Sequence, residues 1–134
     1  MILLLRGLFL LVLASMLAVT VWAGLQCPLF GLPREVYAHP WFIAGMFDAY
    51  WGFTTFFVWV CVKRTAWTAR LAWFVAIMLL GNIAMASFCL RELWRVPRDA
   101  RLADVLTTPR PGPSRLGLAL AAAGLVVIGA ALRS

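Results

Sequence analysis

The run from Trp41 to Val62 carries one formal charge, Asp48. As a helix it would extend about 33 Å at 1.5 Å per residue, enough to cross a hydrocarbon core of about 30 Å. Aromatic side chains crowd it, with Trp41 at one end and Trp59 near the other, as interfacial belts require. Pro40 suits the first helical turn, where its missing N–H is no loss. A carboxyl group inside such a run is expensive unless it meets protein or water, so Asp48 is a candidate functional residue.

The rest of the chain is built the same way. It has 134 residues, is 64% hydrophobic and has a mean hydropathy of +0.93. Soluble domains are about 45–50% apolar, so lipid is the natural solvent. The expected fold is an all-α integral membrane protein, a small bundle of three core transmembrane helices plus a fourth at the C-terminus. Residues 1–97 make the core, with spans at 2–23, 41–62 and 71–90. Residues 98–115 form an amphipathic and proline-rich linker, and residues 116–134 the C-terminal transmembrane helix. A signal peptide competes for the first run, with small residues around Ala23. The apolar stretch after Arg6 exceeds the usual signal core of about 7–15 residues, which favours a retained anchor.

Between the first two spans, Pro28, Gly31, Pro33 and Pro40 break helix, and Arg34 and Glu35 stand side by side. The Lys63–Arg70 hairpin is short, so spans two and three are antiparallel neighbours. RELWRVPRDARLADVL, from Arg91 to Leu106, reads as an interfacial helix broken at Pro97. TTPRPGPS reads as a flexible linker.

The net charge is +7. Basic residues fall in clusters between apolar runs, which points to anionic lipid headgroups rather than nucleic acid. With the N-terminus in the cytoplasm, Lys63, Arg64 and Arg70 lie inside, but Arg91, Arg95, Arg98, Arg101, Arg110 and Arg115 fall outside. Inverting the chain moves the hairpin out instead. A cytoplasmic N-terminus in a bacterial inner membrane is preferred, because the first helix usually dominates orientation.

Depth arithmetic lets Asp48, Asn82 and Ser15 meet in the outer half of the bundle. They would form either a functional polar cluster or an inter-helix hydrogen bond of about 0.6–2 kcal/mol. Gly45, Asp48, Ala49, Gly52 and Thr55 share a face whose small residues suit close helix packing, while Phe42, Phe53 and Phe57 would look toward lipid, a partner or a flat cofactor. His39, beside Trp41, is either a capping and interfacial residue or an axial ligand to a pigment or haem. Cys27 and Cys89 lie at one face by depth, so either a disulfide or free thiols fit. No metal motif and no catalytic signature is present.

CPLFGLPREVYAHPWFIAGMFDAYWGFTTFFVWV, the hairpin with Trp67, and WFVAIMLLGNIAMASF resemble the domain-of-unknown-function 1475 family over about residues 18–97. The resemblance implies a three-helix membrane protein with no assigned activity. It singles out Pro33–Glu35, His39–Phe42, Phe47–Tyr50 and Gly81–Asn82. The expected role is a non-enzymatic accessory or assembly subunit of a larger respiratory or photosynthetic membrane complex. The alternative is a lipid- or quinone-handling carrier or enzyme built on Asp48 and Asn82.

Overall fold

The computed structural model describes residues 1–133. Among them are seven helices and no named strand: α1 Ile2–Gln26, α2 Arg34–Tyr37, α3 Pro40–Lys63, α4 Trp67–Leu80, α5 Asn82–Trp94, α6 Leu102–Thr107 and α7 Arg115–Ala131. Among the described residues, α1 is the one helix both long and apolar enough to cross a membrane, by length and composition. α3 is nearly as long, but Asp48, its glycines and its indole and phenol rings lower its hydropathy.

The decisive departure from the sequence reading is at residues 71–90. The expected third span is two helices, α4 and α5, that fold back on each other. Gly81 makes the turn at φ +51° and ψ −124°, a backbone that side-chain-bearing residues avoid. Its N–H closes α4 on the Ile77 carbonyl, and its own carbonyl accepts from Met85 at the start of α5. Folding back brings Trp73 and Phe88 to a centroid separation of 4.9 Å, whereas a straight helix would hold them about 22 Å apart. At 14 residues, α4 reaches only about 21 Å.

This hairpin is the centre of the molecule. Phe88 receives Trp73, Trp59 and Phe56 edge-on, at 4.9, 5.2 and 5.8 Å between centroids. α1 runs antiparallel to α5. Its contact stripe is Ile2, Leu5, Phe9, Leu13 and Met16, at helical spacing, and every residue from Leu17 to Gln26 is exposed. The stripe covers about 21 Å, which matches the length of α5. α7 runs parallel to α4, and its small residues set the distance. A Cβ on Gly117 would lie 2.9 Å from the Trp73 indole, and one on Gly124 would lie 2.9 Å from Leu79. The fourth helix is therefore integral to the core, not an appendage. Of the expected 116–134 helix, Ser134 lies outside the described residues.

α3 reverses the expected polarity. Phe53, Phe56 and Phe57 turn inward onto the core, and Phe53 lies against Gly81. Gly45, Gly52 and Thr55 face outward, with nothing within 4 Å of a Cβ on either glycine. Rings fill the broad gap beside the hairpin better than small residues do, because buried area drives packing there. Above Phe53, α3 passes the hairpin turn, as α1 does above Met16.

The hairpin also returns the polar segment to the end where α3 finishes. The lysine and all arginines except Arg34 and Arg133 lie at or beside this end. α6 docks there through Val105 and Leu102 against Ile2, Leu5 and Leu93. The segment expected to be a free linker is held down. The Arg110 N–H donates to the Lys63 carbonyl at 2.7 Å, and Ser114 is buried.

Candidate functional site

Glu92 sits on the last turn of α5 and is fully buried. Three cations surround it: Arg64 at 2.7 Å, Lys63 at 3.1 Å and Arg110 at 3.5 Å. They come from the end of α3, the residue that follows it, and the segment before α7, so one carboxylate ties three parts of the chain. Lys63 and Arg64 are as buried as Glu92. The Arg64 guanidinium lies 5.6 Å over the Phe88 ring. Burial pushes it down to about 10, with Glu92 opposing that shift and Arg91, Arg95 and Arg110 adding to it.

Lys63 and its neighbours also close helix ends. A helix leaves its last carbonyls unpaired and carries partial negative charge there, so cations are favoured. The Lys63 ammonium donates to the Val105 and Thr108 carbonyls at the end of α6, both at 2.6 Å, and the Trp59 indole to Leu106 at 3.0 Å. Arg70 closes α3 by donating to the Cys61 and Arg64 carbonyls. Arg6 closes α5 by donating to Leu93 at 2.8 Å and Val96 at 2.7 Å. Ser114 caps α7, accepting from the Gly117 N–H, and its hydroxyl also accepts from the Trp73 indole and from Arg91.

Chemically this cluster is a tie. The carboxylate is held by three cations and has no histidine beside it. The sequence reading missed Glu92 and Ser114. A serine directly before an apolar run is a cap signal. An acid flanked by arginines in a basic stretch has no such local signature, because its partners lie on other helices.

The expected polar cluster is not assembled. Asp48, Asn82 and Ser15 are exposed and make no hydrogen bond with one another. The Ser15 hydroxyl donates to the Val12 carbonyl of its own helix. Asn82 stands at the hairpin turn, and Asp48 has no hydrogen-bond or ion-pair partner among the described residues. Thr55 also bonds within its helix, to Trp51.

His39 is the N-cap of α3, its Nδ1 accepting from the Trp41 N–H at 3.3 Å. Trp41 is 81% exposed, and Arg34 and Glu35 lie exposed on α2. Among the described residues no group of three or more His, Cys, Asp or Glu side chains is placed to hold a metal ion. All three cysteines are free. Cys89 lies beside Phe9, near the basic end, while Cys27 follows the far end of α1, about 27 Å along that helix. No disulfide joins them, because the hairpin carries Cys89 away from the face that a continuous span would have reached.

The family model described as Protein of unknown function (DUF1475) matches residues 1–109. The chain belongs to the DUF1475 family. The match takes in α1 to α6 and Glu92 with Lys63 and Arg64, and it ends just before Arg110 and α7. No curated protein and no solved structure matches the chain.

Proposed function

We propose that this protein is a multi-pass, non-enzymatic membrane protein of the bacterial inner membrane, acting as an accessory or assembly subunit of a larger membrane complex. α1, α3 and α7 would traverse the lipid, and the α4–α5 hairpin would enter from the basic end and return to it. Backbone that turns at membrane depth is tolerated where protein covers it, and Phe53 covers Gly81. This arrangement removes the charge conflict of a four-span reading, since both basic clusters then share the cytoplasmic side with the N-terminus.

The observation that carries the reading is the outer half of α3. Asp48 stands exposed, with no hydrogen-bond or ion-pair partner among the described residues, on the face that carries the exposed Gly45, Gly52 and Thr55, beyond the reach of the hairpin. In lipid such a carboxyl group calls for a polar or cationic partner, and small residues let another backbone come close. A helix of a partner protein presenting a hydrogen-bond donor or cation meets both needs.

Gentle detergent extraction followed by native electrophoresis and mass spectrometry tests this. The expected result is migration with a larger complex, lost in Gly52→Leu and in Asp48→Leu while each variant keeps its own fold. Migration of the wild-type chain by itself, with a bound quinone or lipid that Asp48→Asn releases, would replace the subunit reading with the carrier one.

A further inference from the structure

We propose that the groove between α1, α5 and α7 at the basic end is a binding site for the phosphate of an anionic phospholipid. This rests on the membrane-embedded reading and adds a ligand to it. The groove encloses about 430 Å³. Its deep wall is apolar, with Leu13 from α1, Leu90 from α5 and Leu116 from α7. Ser87 also lines it, but its hydroxyl is turned back to the Ile83 carbonyl, so the wall offers no free donor there. Arg91, Trp94 and Arg95 form the mouth.

Charge complementarity selects the occupant. Arg91, on the last turn of α5, and Arg95, the residue that caps it, are four residues apart, and like charges at that spacing repel. The acid between them in sequence, Glu92, is buried and already shared among Lys63, Arg64 and Arg110. Arg91 spends one donor on Ser114, and Arg95 has no hydrogen-bond or ion-pair partner among the described residues. Two guanidinium groups that make no ion pair among the described residues, at the mouth of an apolar groove, fit a phosphate oxygen pair above an acyl chain. Trp94 is 59% exposed beside them and suits the headgroup level. Leu13 and Leu90 continue the groove away from the basic end, the direction in which an acyl chain must run.

The test uses the full chain purified in a neutral detergent. Native mass spectrometry is run with added phosphatidylglycerol, with phosphatidylcholine, and with inorganic phosphate alone. Membrane fractionation with alkaline carbonate is run in parallel. The expected result is a retained adduct with phosphatidylglycerol and little with the zwitterionic lipid. Arg95→Gln should weaken retention about fivefold, as one lost surface cation implies. Leu13→Trp, which fills the groove without touching a charge, should remove the adduct too, and it guards against misreading an Arg91 variant that loosens Ser114. Equal retention of the two lipids in an alkali-resistant membrane protein overturns the site alone. Retention of inorganic phosphate to the same extent overturns the lipid assignment. Release of the chain by carbonate overturns the membrane reading and the site with it.

Discussion

The two ends of this molecule solve opposite problems. At the basic end three helix C-termini are closed by side chains from other elements: Arg6 on α5, Arg70 on α3 and Lys63 on α6. Glu92 is buried under three cations. At the outer end, α1 and α3 run past the hairpin with exposed apolar surface, and a carboxylate stands alone. Charge density therefore does not mark the free surface here. Much of the positive charge holds the fold together, and the open region is the one with almost no charge at all.

The comparison breaks most sharply at Glu92. Glu92→Leu leaves Lys63 and Arg64 buried without a counter-ion, and removing one member of a buried pair costs about 3–5 kcal/mol. Denaturant unfolding in mixed micelles, followed by tryptophan fluorescence, should show that loss, or the variant should fail to accumulate. A shift of under about 1 kcal/mol would mean that water reaches the cluster and that the basic end is solvated, as charge of this density usually is.

Gly81 is the next test, since it separates a hairpin from a straight span. Gly81→Ala meets both an unfavourable backbone and the Phe53 ring, 2.7 Å from the new Cβ. The two together should cost about 2–3 kcal/mol. Pairing it with Phe53→Ala should recover the steric share and leave the backbone share. An alanine tolerated in the single variant would mean that residues 71–90 run straight.

How much of this was legible beforehand follows from where the partners lie. The helical class came from local pattern, and so did the start of α1 and the place of Pro40 in the first turn of α3, because apolar runs and helix starts are local. The Gly81–Asn82 pair was visible, and its meaning was not. A glycine inside an apolar run is common, and its φ depends on what packs beside it. The inward turn of Phe53, Phe56 and Phe57 depended on that same hairpin, and so did the separation of Cys27 from Cys89. One long-range event thus accounts for several departures. Glu92 was missed for the same reason, as its cations are about 18–29 residues away along the chain, a spacing with no local period.

Arg6→Gln sharpens the picture at a smaller scale. It removes the two donated hydrogen bonds to the end of α5, at Leu93 and Val96, and should destabilise by about 1–2 kcal/mol. The change should appear in the same unfolding assay as for Glu92. Arg6→Lys should restore much of it, because both bonds come from one terminal nitrogen of Arg6, and an ammonium keeps the charge and more than one donor near the helix end. No effect would place Arg6 among lipid-facing residues rather than caps.

The smallest effect on stability is the most informative about the outer end. Asp48→Asn touches a side chain that no described residue binds, so the isolated chain should unfold with an unchanged midpoint. On the proposed subunit reading, the same variant should weaken co-migration with a larger complex extracted from the native membrane, because an amide keeps the shape but loses the charge that a cationic partner would read. These two measurements must disagree for Asp48 to be the docking residue. Joint loss of stability and assembly would mean that Asp48 is paired within the bundle, and the outer half would then be a closed structure like the basic end. Joint indifference would leave the apolar and small-residue surface of α3 as the docking feature, with Gly52→Leu the variant that decides it.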